Sequence, residues 1–123
     1  MQTFIFIVDD DKSFGRSLMR LLNTEGMTTY CFESADAFLD SVPSGQKGIA
    51  IVDIYMPECD GFSLMDKMHD MSYSMPVILI TGNAKHDTLD MAMQRGAVGF
   101  LQKPFVARSL LEIIDAQEYE GDE

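Results

Sequence analysis

Tryptophan is absent from the 123 residues, and cysteine, histidine and proline are scarce, with two, two and four copies. Two cysteines, Cys31 and Cys59, are too few for a disulfide scaffold, and two free thiols fit a reducing compartment. Basic residues are also few. Nine Lys and Arg stand against 20 Asp and Glu, for a formal net charge of −11. Such a surface repels DNA and anionic membranes, because phosphate binding needs clustered cations, and the nine here are scattered. Direct nucleic-acid binding by this chain is therefore not expected. No apolar run approaches the ~20 residues needed to cross a bilayer. The opening Met1-Gln2-Thr3-Phe4 lacks the basic region and cleavage site of a secretion signal, and its apolar stretch runs straight into Asp9-Asp10-Asp11. The expectation is a cytoplasmic protein of one domain, large enough to bury roughly two thirds of its unfolded surface.

What is present is an alternation. Thr3-Phe4-Ile5-Phe6-Ile7-Val8 is short, continuous and apolar, as a strand buried on both faces should be. Phe14, Leu18, Leu21 and Leu22 follow at helical spacing, and Gly26 stops them. Thr28 to Phe32 reads as a second strand. Ser34 reads as the N-cap of a short helix through Phe38 and Leu39, closed by Pro43-Ser44-Gly45. Ile49-Ala50-Ile51-Val52 forms a third strand ending on Asp53, and Leu64, Met68 and Met71 share a helical face after it. Pro76 opens a fourth strand, Val77 to Ile80; Leu89, Ala92 and Met93 mark a helix that Gly96 ends. Val98 to Leu101 is a fifth strand, and Leu110, Leu111, Ile113 and Ile114 make the last helix. Strands alternating with helices at this length predict an α/β fold: one doubly wound, five-stranded parallel sheet with helices on both faces. The domain is expected over 1–117, with 118–123 an acidic tail or the start of a linker. The ten methionines read mostly as core filler.

In open α/β sheets, ligands bind beyond the carboxyl ends of the strands. Strand one ends in Asp9, Asp10 and Asp11, strand three in Asp53 and strand four in Thr81, with Gly82 and Asn83 behind it. Lys103-Pro104 follows strand five. Several carboxylates, a hydroxyl and an ammonium thus converge on one sheet edge. Two like charges about 4 Å apart repel by roughly 4 kcal/mol at an effective dielectric of 20. Either a carboxylate takes up a proton or a cation binds, and a hard divalent ion with oxygen ligands, Mg²⁺ above all, suits a site open to water and phosphate. Asp11 alone reads as a helix cap rather than a site residue. His86, after strand four, reads as a solvated loop histidine.

Ile7-Val8-Asp9-Asp10-Asp11, Val52-Asp53-Ile54-Tyr55-Met56-Pro57 with Asp60-Gly61, Pro76 to Gly82, and Gly96 to Phe105 together resemble the response regulator receiver family. The match runs in order along essentially the whole chain. Ala35-Asp36-Ala37-Phe38-Leu39 and Leu79-Ile80-Thr81-Gly82 resemble receivers that precede a helix-turn-helix DNA-binding domain. The resemblance implies a flavodoxin-like receiver fold with Asp53 as phosphoacceptor. It implies Mg²⁺ (or Mn²⁺) held by Asp10, Asp53 and the backbone carbonyl of Tyr55, with Asp9 acting through a metal-bound water. Lys103 and Thr81 would contact phosphoryl oxygens, Phe100 would be the switch aromatic, and Lys103-Pro104 a cis peptide. The partners implied are a sensor histidine kinase or phosphotransfer protein, and a second copy of the chain on phosphorylation.

Tyr55 and Asn83 depart from the commoner residues at positions that tune hydrolysis in the family, so the acyl-phosphate lifetime does not carry over. Phe100 lacks a hydroxyl, so its inward rotamer has no hydrogen bond to gain and must rely on packing. Other readings fare worse. An aspartate-nucleophile phosphatase of the haloacid dehalogenase type wants a second acid two residues on, where Tyr55 stands. A flavin carrier wants a Ser/Thr/Gly-rich loop after strand one, where aspartates stand. A degenerate receiver that only binds protein would not need Asp9, Asp10, Asp53, Thr81 and Lys103 intact. The expectation is a phosphorylatable switch rather than an enzyme, cut from a longer regulator that acts on transcription; a stand-alone regulator or phosphorelay intermediate is the alternative.

Overall fold

A computed structural model describes the backbone of residues 3–121 and side chains through Gln117. Five strands form one parallel sheet: β1 Phe4–Val8, β2 Thr28–Phe32, β3 Ile49–Asp53, β4 Val77–Thr81 and β5 Gly99–Gln102, in the order β2-β1-β3-β4-β5. Five helices alternate with them: α1 Lys12–Thr24, α2 Ala35–Ser41, α3 Gly61–Asp70, α4 Thr88–Gln94 and α5 Ala107–Gly121. The chain steps outward from β1 to β2, then crosses back to β3 on the other side. That reversal puts a crevice between the carboxyl ends of β1 and β3.

Strand periodicity divides the core cleanly. Ile5, Ile7, Ile49, Ile51, Ile78 and Ile80 share one face with Leu18 and Leu22 of α1 and Leu110 and Ile114 of α5. Phe6, Val8, Ala50, Val52, Val77 and Leu79 point to the other, against Phe38 of α2, Leu64 and Met68 of α3 and Ala92 of α4. Central strands apolar up to their last residue are what two covered faces require.

Caps set the helix starts. The carboxylate of Asp11 accepts from the Phe14 N–H at 3.1 Å, Ser34 from Ala37 at 3.1 Å and Asp60 from Ser63 at 2.8 Å. Gly61, the first residue of α3, has to be glycine for space. A Cβ there would lie 2.8 Å from the Asp53 carbonyl oxygen and 2.9 Å from Ile54 Cα. The helix start is thereby pressed against the end of β3.

Several sequence expectations shift. Met71 does not join the buried face of α3; it follows the helix as its C-cap and is 49% exposed. In α4 the buried stripe is Thr88 and Ala92, while Leu89 and Met93 face outward. Met91 packs partly buried beside that stripe. Met56, Met65, Met68 and Met75 are core residues, whereas Met71 and Met93 are on the surface. β5 runs one residue later than expected, from Gly99 to Gln102, and Val98 is an exposed lead-in whose N–H still reaches the Val77 carbonyl. The α5 backbone stays helical through Gly121; the side chains of the acidic stretch 118–123 lie outside the described residues. None of the described helices is long and apolar enough to cross a membrane.

Candidate functional site

The register Val8↔Val52 places Asp9 beside Asp53 at the ends of neighbouring strands. Ligand oxygens of Asp9, Asp10 and Asp53 lie within 4.8 Å of one another. Asp9 is fully buried, Asp53 is 7% exposed and Asp10 faces solvent. Both Asp9 oxygens are engaged: Oδ1 accepts the Asp11 N–H at 2.9 Å, and Oδ2 accepts from Lys103 Nζ at 2.9 Å. The same ammonium is 3.9 Å from Asp53 Oδ2. Lys103 therefore leans toward Asp9 and leaves Asp53 only partly compensated.

The carboxyl of Asp53 is accordingly pushed up to about 6, from 3.8. Burial is the main cause, and the charge of Asp9 adds to it, with a smaller push from Asp10; Lys103 and a hydrogen bond from the Tyr55 backbone N–H pull the other way. One ammonium against three carboxylates leaves an excess of negative charge that a hard divalent cation with oxygen ligands is suited to neutralise. The donor set fits such an ion.

Thr81 ends β4 fully buried, and its hydroxyl oxygen accepts the Asn83 N–H at 3.0 Å. That leaves the hydroxyl hydrogen for donation elsewhere. Lys103 N donates to the Thr81 carbonyl at 2.7 Å, tying the lysine's backbone to the same strand end. The Lys103-Pro104 peptide is cis. Phe100 sits on β5 opposite Leu79 and packs, half-buried, against the core beneath α3 and α4. It is on the same sheet face as Thr81, two residues along from Leu79.

The sequence reading placed Asp11 at the helix start, where its carboxylate is bonded, and His86 in a loop, where it is exposed. It missed three supports. The ring of Phe14 lies under the Lys103 ammonium, 4.0 Å from Nζ to ring centre, and packs edge-on against Phe105. Thr88 and Lys85 both reach Tyr55. Each is a contact between distant parts of the chain, with no local motif to betray it.

Known proteins show the same arrangement of elements. The response regulator receiver domain family matches residues 5–115. The transcriptional regulatory protein FixJ of Bradyrhizobium diazoefficiens is 35% identical over 112 residues, 91% of this chain and 55% of its own. The DNA-binding transcriptional regulator NtrC of Proteus hauseri is 35% identical over 90% of this chain and 24% of its own. The crystal structure of FixJ-N superposes with a TM-score of 0.86 at 32% identity, covering 94% of this chain and 92% of that one. A CheY-like receiver from Methanospirillum hungatei gives 0.88 at 29% identity over the whole of both chains. The chain spans about half the length of its FixJ relatives, 55% and 54%. It belongs to the response regulator receiver domain family and corresponds to the receiver part of two-component regulators.

Proposed function

We propose that Asp53 accepts a phosphoryl group from a phosphohistidine, carried by a sensor histidine kinase or a phosphotransfer protein. The observation that carries this is the Asp53 carboxylate itself. It is almost buried at the sheet edge, within 4.8 Å of two further carboxylates and 3.9 Å from the Lys103 ammonium. In the transfer, an Asp53 oxygen bonds to phosphorus as the P–N bond to the donor imidazole breaks, and the imidazole leaves with a proton. A carboxyl titrating at about 6 is still mostly the anion that this attack needs at neutral pH.

Phosphoryl transfer passes through a loose transition state, so catalysis is positioning and charge stabilisation. Asp10, Asp53 and the Tyr55 carbonyl would hold Mg²⁺ (or Mn²⁺), with Asp9 one shell out, since both its oxygens are taken. The ion supplies positive charge to the transferring phosphoryl oxygens. Lys103 has only to swing from Asp9 to meet the same oxygens, and the Thr81 hydroxyl hydrogen is available to a third. The domain is a phosphoacceptor that assists its own transfer rather than an enzyme with a separate substrate.

The output of such a switch is, on this reading, transcription through a DNA-binding domain outside this chain, in a cytoplasmic regulator that pairs with a second copy once phosphorylated. FixJ and NtrC are named as transcriptional regulators and extend well beyond their receiver portions, which supports it. With a charge of −11 the receiver itself does not hold DNA or a membrane surface. The test is Asp53→Asn, which keeps the shape and removes the nucleophile. An intact fold with no ³²P incorporation from acetyl phosphate or a phosphohistidine donor is expected; undiminished incorporation would refute the assignment.

A further inference from the structure

Tyr55 stands two residues after Asp53 and touches the site with its backbone, but its side chain goes elsewhere. The phenol oxygen lies 3.4 Å from Thr88 Oγ1, at the first turn of α4. That same Oγ1 accepts the Lys85 N–H at 2.8 Å, and the Lys85 ammonium sits 5.2 Å from the centre of the Tyr55 ring. Two groups at the start of α4, the Thr88 hydroxyl and the Lys85 ammonium, therefore gather at one side chain of the β3–α3 loop. Thr88 is 1% exposed, whereas Tyr55 remains 38% exposed.

The start of α4 needs such help. The helix has only seven residues, and its N-cap, Asp87, makes no side-chain capping bond. The turn that leads into it is closed by the Thr88 hydroxyl, which accepts the Lys85 N–H, and the Tyr55 phenol touches that hydroxyl in turn. The other end of the connecting segment hangs on Thr81, whose Oγ accepts the Asn83 N–H. Residues 82–87 are thus tied at one end to Thr81 and at the other, through Thr88, to Tyr55.

We propose that the Tyr55 side chain pins the start of α4 through Thr88, and that this pin is a second line, beside Thr81, by which the state of Asp53 reaches the α4 face. The proposal rests on the reading of Asp53 as phosphoacceptor. The Tyr55 N–H donates to the Asp53 carboxylate, so a phosphoryl group added there displaces or redirects that donor and moves the loop that carries the ring. At 3.4 Å the hydroxyl pair is already longer than an ordinary O–H···O bond, so a shift of a few tenths of an ångström parts it. The pin belongs to the unphosphorylated state, and through its side chain Tyr55 acts as a positioning residue.

Amide hydrogen exchange on the whole chain tests this, with wild type, Tyr55→Phe, Thr88→Val and Thr88→Ser compared with and without Mg²⁺ and beryllofluoride. Without the mimic, Tyr55→Phe should speed exchange at Met91 in α4 by about twofold, the low end for one net hydrogen bond, Thr88→Val by more because it also strips the Lys85 N–H of its acceptor, and both should leave Ile51 in β3 unchanged. Thr88→Ser keeps the hydroxyl and should match wild type. With the mimic, wild-type α4 should loosen toward the variants' level while Tyr55→Phe changes little. A wild-type rate at Met91 in Tyr55→Phe overturns the pin. Equal responses of wild type and Tyr55→Phe to the mimic overturn the coupling. If the amides of Thr81 and Lys103 ignore the mimic in wild type, the phosphoacceptor reading fails and the coupling with it, while the comparison without mimic still decides the pin.

Discussion

Lys103 gives its ammonium to Asp9 at 2.9 Å and stands 3.9 Å from Asp53, so the one cation of the site is spent on the carboxylate that is fully buried. An isolated charge at Asp9 would be costly, because a buried ion without a partner loses its hydration for nothing. Asp53, by contrast, is left with an incomplete balance and a raised affinity for protons and cations. The arrangement holds Lys103 beside Asp53, with its ammonium over the ring of Phe14.

That imbalance has a pH signature. Asp53 titrates at about 6 in the fold against 3.8 as an ordinary carboxyl, so the folded state binds its proton more tightly. Stability from this group is then fully present below about pH 4 and is lost as pH rises through about 6, levelling off above. The amplitude is up to about 3 kcal/mol, at 1.36 kcal/mol per pK unit. Urea unfolding of metal-free protein at several pH values, wild type minus Asp53→Asn, isolates the term. A difference that does not vary between pH 4 and 7 contradicts it. Adding Mg²⁺ should restore stability more at pH 7 than at pH 5.

The aspartates after β1 should separate by function. Asp11→Ala removes the cap on Phe14 N and should cost about 1 kcal/mol of stability with metal affinity nearly unchanged. Asp10→Ala removes a solvent-facing carboxylate whose only company is the acid cluster. It should weaken Mg²⁺ binding severely without lowering metal-free stability. Isothermal titration beside thermal unfolding reads both; equal losses of affinity would contradict the division.

Gly61→Ala probes how tightly the acceptor loop is built. The new methyl would meet backbone, the Asp53 carbonyl oxygen at 2.8 Å and Ile54 Cα at 2.9 Å, and backbone cannot rotate away. A loss of about 1–3 kcal/mol is expected, with slower phosphorylation because the end of β3 must shift. Gly45→Ala, in open space, is the control and should be near neutral.

Most of the fold was legible because β1, β3 and β4 are buried on both faces and can only be continuous apolar runs, while Asp11 and Ser34 announce helix starts. Asp9, Asp10, Asp53, Thr81 and Lys103 were legible for a related reason: each stands at a strand end or just after one, and parallel strands carry their ends to the same edge. What escaped was set by contacts distant in sequence. Leu89 and Met93 match a helical stripe but face water, because the side of α4 turned to the core carries Thr88, Met91 and Ala92. The preference of Lys103 for Asp9 over Asp53 comes from side-chain directions 94 positions apart, which no local pattern records.

Phe100 carries the last prediction, and its burial changes the size of the effect. The ring already packs against the core beneath α3 and α4, on the face of β5 that Thr81 shares from β4. If phosphorylation draws the Thr81 hydroxyl toward Asp53, space opens beside Leu79, and a ring that is half-buried has only its remaining surface to hide. At roughly 25 cal/mol per Å² that amounts to about 1 kcal/mol, not the ~2 kcal/mol of a fully exposed phenyl. A two-state surface would be biased about fivefold. With no hydroxyl to bond, the ring relies on packing alone. Phe100→Ala should therefore lose about 1–2 kcal/mol of stability from the contacts already made, accept phosphate on Asp53 at a near-normal rate, and fail to transmit the change to the surface formed by α4, β5 and α5. Sedimentation of wild type and Phe100→Ala, each with and without Mg²⁺ and beryllofluoride, decides it. Dimerisation of wild type alone supports the aromatic as coupler. Equal dimerisation of both leaves Phe100 a packing residue and shifts the burden to the α4 contacts of Thr88.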